Sequence, residues 1–165
     1  METASLTQML SQELEVESTF AEAVRVDDVR YVIEINNLNL VLPQGILSEL
    51  VEAPQYAELP LMPENVVGLC NFRGNLVPVF NLYTHLKMGK EIKGRYLIAL
   101  GEGGNTVGVL LESLPYMVRE SECIPTAQVP TLPNTLNPYI SNVFKRDNQV
   151  LVEYDHDAFF ASLCE

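Results

Sequence analysis

The fold of this chain is decided by one stretch of sequence, which reads Val66-Val67-Gly68-Leu69-Cys70-Asn71-Phe72-Arg73-Gly74-Asn75-Leu76-Val77-Pro78-Val79-Phe80-Asn81-Leu82. Two apolar segments flank a short polar link, which predicts a β-hairpin whose turn is supplied by Gly74 and Asn75. Arg73 lies beside that turn, where its guanidinium can project outward and pair with a carboxylate on a partner. Gly68 indicates a bulge or a close backbone approach, and Pro78, which lacks an amide donor, predicts an edge or a bulge in its strand.

Short apolar runs separated by Gly, Asn and Pro continue on both sides of this hairpin. Asn36-Asn37 suits a tight turn because asparagine tolerates a positive φ, and a glycine-rich link at residues 101–105 predicts a third turn. The pattern is typical of small antiparallel barrels, so the predicted fold class is mainly β. The predicted strands are residues 31–35, 38–42, 66–72, 76–82, 96–100, 106–111 and 149–154, and the predicted short helices are residues 82–88 and 155–163.

Two regions stand apart from the predicted strands. Residues 1–28 are predicted as an N-terminal helical extension, since capping-box patterns begin at Ser5 and at Thr19. Residues 29–165 are predicted as one β-rich domain of two lobes. Within it, residues 125–138 contain four prolines and are predicted as an extended connection that crosses between the lobes.

Composition narrows the classes of partner. The chain is 47% hydrophobic and has 22 acidic against 10 basic residues, a net charge of -12. Clustered bases are needed to bind nucleic acid or an anionic membrane, so we expect neither of these partners, whereas a protein with a basic face is compatible. The apolar runs are too short for membrane insertion, and the N-terminus has no secretion signal, so a cytoplasmic location is expected. The three cysteines have no metal-binding spacing and predict no disulfide framework.

Other candidate sites for chemistry are weak. Residues 101–106 lack the third glycine of a dinucleotide-binding loop and precede no helix. His85 is expected in an exposed loop, and neither it nor His156 accompanies a nucleophile motif. Glu153 and Asp155 share a strand face but are too few for a metal site, and Asp155 is better suited to capping the last helix. We therefore predict no catalytic residue, no metal site and no cofactor.

The hairpin stretch resembles the signature of the CheW/PilI family of chemotaxis coupling proteins, in which G-x-x-N-x-R-G is followed by P-V-x-D-L. Weaker similarity runs from Tyr31 to the C-terminus in the family's order. Asn81, Glu112 and Ser141 depart from the family's residues, which indicates a divergent branch such as the pilus-linked adaptors. The signature positions that match are Gly68, Asn71, Arg73, Gly74, Pro78, Val79 and Leu82.

This resemblance implies a fold and a function. Members carry two interlocked SH3-like five-stranded β-barrels, with short terminal helices and no active site. They join the cytoplasmic tip of methyl-accepting chemoreceptors to the regulatory domain of a CheA-type histidine kinase, in swimming chemotaxis or in type IV pilus twitching motility. The groove between the barrels would take the receptor's helical hairpin. The residues that the resemblance implies for partner binding are Arg73, Gly74, Asn71, Phe72, Leu47, Glu49, Gly68, Gly108 and Val109.

The alternative is a small-molecule-sensing or enzymatic β-barrel domain, in which the hairpin has no signalling role. Such a domain needs a pocket with convergent polar or titratable groups. The position of Arg73 discriminates between the two hypotheses. An exposed arginine between the lobes favours the adaptor, and a buried one inside a cavity disfavours it.

Overall fold

This computed structural model describes residues 28–89 and 92–165 of the chain, which form eleven β-strands and two short α-helices. The helical extension predicted for residues 1–28 lies almost wholly outside the described residues and stays a prediction. The elements are β1 (Val29–Ile35), β2 (Leu38–Val41), β3 (Ser48–Glu52), β4 (Val66–Phe72), β5 (Asn75–Phe80), α1 (Leu82–His85), β6 (Tyr96–Leu100), β7 (Val107–Leu111), β8 (Tyr116–Arg119), β9 (Ile124–Pro125), β10 (Ile140–Arg146), β11 (Gln149–Tyr154) and α2 (His156–Leu163).

The strands form two sheets that are interlocked along the chain. The first sheet has the strand order β8-β1-β2-β11-β10-β9, and the second has the order β3-β6-β7-β5-β4. From residue 28 onward the chain therefore starts in the first sheet, builds the second with five consecutive strands, and returns to complete the first. The predicted mainly β, two-lobed architecture is confirmed, with a two-residue sixth strand, β9, added to the first sheet.

The second sheet closes on itself through the segment that follows β3. Ala57 and Leu69 of β4 exchange two backbone hydrogen bonds, with N–O distances of 2.8 and 2.9 Å. This bridge covers Gly68, where the register of β4 against β5 shifts as expected for a bulge. A Cβ atom at Gly68 would lie 2.6 Å from the Ala57 carbonyl oxygen. Both readings of Gly68, a bulge and a close backbone approach, are confirmed.

The largest hydrophobic core of the described residues lies between the two sheets. Twenty buried residues from both sheets and both helices form it, whereas the two smaller clusters, one on each sheet, have five and four. Strand β6 is apolar along its whole length because both of its faces are buried. Leu97 and Ala99 pack into the smaller cluster of the second sheet, while Ile98 and Leu100 pack into the shared core, so both faces are buried.

Helix α2 packs the C-terminus onto this shared core. Asp155 caps it, since its side-chain oxygen accepts a hydrogen bond from the Ala158 amide at 3.1 Å. Phe159 and Phe160 are buried, and the Phe160 ring meets the Phe80 ring of β5 edge-on at 5.4 Å between centroids. The predicted helix and its cap are confirmed.

Three local predictions are wrong in detail. The hairpin turn is Arg73-Gly74 rather than Gly74-Asn75, because Asn75 already pairs with Phe72 and the positive φ values fall on Arg73 (50°) and Gly74 (82°). Pro78 is neither on an edge strand nor at a bulge, since β5 lies between β4 and β7 and Pro78 pairs regularly with Leu69. Its missing donor is tolerated because the parallel pairing with β7 starts only at Val79.

The proline-rich segment at 125–138 is the third correction. It leaves β9 and returns to β10, and both strands belong to the first sheet. The connections that do cross between the sheets are residues 42–47 and 112–115. The proline-rich segment instead places Leu136, which is fully buried, into the shared core.

Strand β5 offers a matched test of the inward and outward faces. Val79 has no exposed surface, whereas Leu76 on the same strand is 71% exposed. Val79→Asp buries an unpaired charge and is expected to lower the free energy of unfolding by about 3–5 kcal/mol or to abolish folding. Leu76→Asp should change it by less than about 0.5 kcal/mol. Equal melting temperatures for the two variants would contradict this orientation of β5.

Gly68 and Gly104 provide a second matched pair. Gly68→Ala must displace the Ala57 backbone and should cost about 1–3 kcal/mol of stability. A Cβ atom at Gly104 would meet nothing within 4 Å, so Gly104→Ala should be close to neutral. Urea unfolding of both variants measures the difference. A Gly68→Ala variant as stable as Gly104→Ala would show that the chain does not close tightly at this point.

Candidate partner-binding site

The tip of the β4–β5 hairpin presents Arg73 to solvent. Its side chain is 73% exposed, and its guanidinium carbon lies 5.6 Å from the centre of the Phe72 ring. The Asn71 side-chain oxygen accepts a hydrogen bond from the Gly74 amide at 3.1 Å, which holds the turn that displays Arg73. Arg73 is therefore exposed rather than buried inside a cavity, and of the two hypotheses this favours the adaptor.

Arg73 is paired within its own chain. Its guanidinium donates a hydrogen bond to the Glu49 carboxylate of β3, and both side chains are exposed. The expected carboxylate is thus supplied by the protein itself rather than only by a partner. An exposed ion pair contributes roughly 0–1 kcal/mol, so another carboxylate can replace Glu49 at little cost.

The Arg73–Glu49 pair borders a groove that we call the seam groove. Its first part, about 290 Å³, is lined by Leu47, Ser48, Phe72 and Arg73 among others. Its second part, about 410 Å³, reaches the first sheet through the 42–47 connection and shares Ser48 with the first. These are two pockets that have Ser48 in common: the first lies on the second sheet, and the second lies between β1 and the 42–47 connection.

The rim of the seam groove combines apolar and charged groups. Leu47 is 59% exposed, and Tyr31, which lines the part on the first sheet, is 49% exposed. Tyr31 pairs across the strands with Met117 of β8, which is 61% exposed. The sequence alone does not single out Tyr31 or Met117. Only the pairing of β1 with β8 shows that these two exposed side chains lie side by side.

The nine residues expected at the partner surface fall into two groups. Arg73, Gly74, Asn71, Leu47 and Glu49 are exposed and Phe72 is half-buried, and these six lie together at or beside the seam groove. The other three, Gly68, Gly108 and Val109, are buried and cannot contact a partner in this fold.

Each interior position has a packing role. Gly68 lies under the Ala57 bridge, and a Cβ atom at Gly108 would lie 3.3 Å from Leu97. Val109 has no exposed surface and belongs to the shared core. Gly108 and Val109 pair with Val79 and Phe80, which ties β7 to the strand that ends the hairpin.

The histidines lie away from the seam groove and are held by packing. Burial lowers the pKa of His85, whose Nδ1 atom lies 2.8 Å from the Asn65 side-chain oxygen. It is half-buried at the end of α1 rather than in the exposed loop that was expected. His156 is buried beside Tyr154 and Phe160, and burial likewise lowers its pKa.

Glu153, considered above as a metal ligand, has partners inside the protein. It accepts hydrogen bonds from Asn142, at 2.7 Å, and from the buried Arg30. Within residues 28–89 and 92–165, no group of three or more His, Cys, Asp or Glu side chains could hold a metal ion.

A wider cleft of about 730 Å³ lies where the β1–β2 turn faces α1. Three of its polar side chains are engaged within the chain. The Tyr83 hydroxyl donates to the Glu34 carbonyl at 3.1 Å, the Glu112 carboxylate accepts from the Gly94 amide at 2.7 Å, and the Asn36 amide donates to the Met88 carbonyl at 3.1 Å. Burial raises the pKa of Tyr83. Tyr83, Glu112 and Asn36 therefore hold the walls of this cleft together.

The helices of the described residues are all too short or too polar to cross a membrane.

Comparison with known proteins gives the family. A relative, Protein PilI of Pseudomonas aeruginosa, is 29% identical over 120 residues, which cover 70% of this chain and 66% of that protein. The crystal structure of the scaffolding protein TtCheW from Thermoanaerobacter tengcongensis superposes with a TM-score of 0.64 over 81% of this chain and 92% of that one, at 20% identity. This likeness confirms the predicted pair of SH3-like barrels. The profile of the CheW-like domain matches residues 23–164, and the chain belongs to the CheW-like domain family.

Proposed function

We propose that this protein is a non-catalytic adaptor that couples chemoreceptors to a CheA-type histidine kinase in bacterial chemosensory signalling. The observation that supports this most is the exposed Arg73, which stands on the β4–β5 turn at the rim of the seam groove. A residue placed in this way can be reached by a large partner, and it lies outside any enclosed cavity. Membership in the CheW-like domain family points in the same direction.

The seam groove suits a helical partner. Helix-in-groove recognition needs apolar anchors along a channel and charges that set the register. Leu47 and Tyr31 supply apolar surface, while Arg73 and Glu49 supply an exchangeable charge pair. In this proposal the cytoplasmic tip of a chemoreceptor lies along the groove.

The regulatory domain of the kinase is the second proposed partner. The chain's net charge of -12 favours a partner with a basic face and disfavours nucleic acid and anionic membranes. The proposed site uses residues 29–165, and the extension at residues 1–28 has no assigned part in it. The adaptor works in the cytoplasm, recruited to receptor arrays.

The pathway assignment rests on the relatives. Similarity to Protein PilI, together with Asn81 and Glu112 in place of the family's aspartates, favours the branch that controls type IV pilus twitching motility over swimming chemotaxis. Asn81 caps α1 by accepting hydrogen bonds from Tyr83 and Thr84, so its change costs the fold nothing. Glu112 also serves the fold, since its carboxylate accepts a hydrogen bond from the Gly94 amide.

Binding to the kinase regulatory domain and to a receptor tip peptide, measured by calorimetry, tests this proposal. Arg73→Glu should leave the free energy of unfolding within about 0.5 kcal/mol of wild type, because the side chain is exposed. The same variant should weaken binding to one of the two partners by about tenfold or more, through repulsion of the partner's carboxylate.

Arg95→Glu is the matched control. Arg95 is also an exposed arginine beside an aromatic ring, 5.9 Å from Tyr96, but it does not line the seam groove. The Arg95→Glu variant changes the net charge by the same amount as Arg73→Glu and should bind both partners like wild type. Equal binding by Arg73→Glu and Arg95→Glu to both partners would exclude the seam groove. A wild-type protein that binds neither partner would favour the small-molecule-sensing alternative.

A further inference from the structure

Leu61 combines two properties that folding alone does not favour. Its side chain is fully exposed to solvent. Its backbone is in the left-handed region, with φ of 66°. Among the described non-glycine residues with positive φ, it is the one large aliphatic side chain; the others are Asn36, Ala53, Arg73, Lys87 and Asp147.

The position would be more stable with another residue. Pro60 and Leu61 occupy a turn with proline first and a positive φ second, a pattern that prefers glycine or asparagine at the second site. A branched residue there costs about 1 kcal/mol relative to those residues. An exposed leucine in a strained backbone therefore indicates use by a partner.

The tip that displays Leu61 is stiff and anchored. Pro60 and Pro63 restrict the backbone on both sides, and Met62 packs against the shared core. Leu59, two residues before Leu61, adds a second exposed apolar side chain at 47%. A rigid apolar protrusion loses little conformational entropy on binding, which favours affinity.

The surroundings of the tip are acidic. Glu58 and Glu64 flank it three residues away on either side, and both are exposed. From Glu52 to Phe72 the sequence has three glutamates and no lysine or arginine. The complementary surface is an apolar pocket bordered by basic side chains.

We infer that the Leu61 tip, defined as residues 58–64, inserts into an apolar pocket with a basic rim on the regulatory domain of the partner kinase, which rests on the proposed function. The kinase regulatory domain is the globular partner in the proposed function, and a protruding apolar tip needs a pocket on the surface that it meets. A second copy of this chain is disfavoured, because its charge of -12 repels the acidic rim. The Leu61 tip is distinct from the seam groove, which none of its residues line.

Leu61→Asn separates binding from folding. Asparagine accepts the left-handed backbone, so the melting temperature should stay equal to or rise above that of wild type. Loss of the apolar anchor should weaken binding to the purified kinase regulatory domain by about tenfold or more. Leu114→Asn, at a leucine that is 55% exposed in the 112–115 connection, is the matched control and should bind like wild type.

The acidic rim, formed by Glu58 and Glu64, can be tested separately through the salt dependence of binding. A Glu58→Gln/Glu64→Gln double variant should bind with a slower association rate and a smaller loss of affinity between low and high salt than wild type. If the double variant and wild type show the same salt dependence, the partner's pocket does not have a basic rim.

The outcomes separate this inference from the proposed function. If wild type binds the kinase domain and Leu61→Asn binds equally well, the tip is not the docking element, while the adaptor function stands. If Leu61→Asn melts well below wild type, Leu61 has a structural role and the inference fails. If wild type does not bind the kinase domain at all, the proposed kinase partner and this inference both fail.

Discussion

Packing of the two sheets against each other, through residues such as Ile33, Phe80, Ile98 and Phe159, positions everything else in the described part of the chain. Each sheet has only a small cluster of its own, and neither could supply the apolar burial that a stable domain of this size needs. The chain path links the sheets further, because the strands of the first sheet lie on both sides in sequence of the five strands that form the second. We therefore expect the two barrels to unfold as one unit.

That constraint explains where binding surfaces can form. Strands β6 and β7 are buried on both faces, so they offer nothing to a partner. Accessible functional groups are confined to turns, connections and edge strands: the Arg73 turn, the 42–47 connection, β3 and the Leu61 tip. The Arg73 turn, the 42–47 connection and the Leu61 tip are attached to the shared core through Phe80, Leu42 and Met62, respectively. Rigid attachment keeps the apolar and charged groups in place before a partner arrives, which lowers the entropy lost on binding.

Local chemistry determined what the sequence could predict. The Asn36-Asn37 and Arg73-Gly74 hairpins, the Gly68 bulge and the Asp155 cap depend on neighbouring residues, and they were foreseen apart from the turn register at Arg73. Strands β3, β8, β9 and β10 were not predicted. Four of the five residues of β3 are exposed, β8 and β10 each have a single buried residue, and β9 has only two residues. Gly108 and Val109 were expected at a partner surface because similarity to a family marks packing positions as well as contacts. Leu61 was missed because its φ is set by the fold around it.

Native-state hydrogen exchange of the free protein, followed residue by residue, tests the single folding unit most directly. If the shared core unites the barrels, the most protected amides of both sheets, for example Val32 in β1 and Leu97 in β6, should exchange with one common opening free energy. Both values should fall together as denaturant is added. Two distinct opening energies, one for each sheet, would contradict the account, because each barrel would then hold its fold without the other.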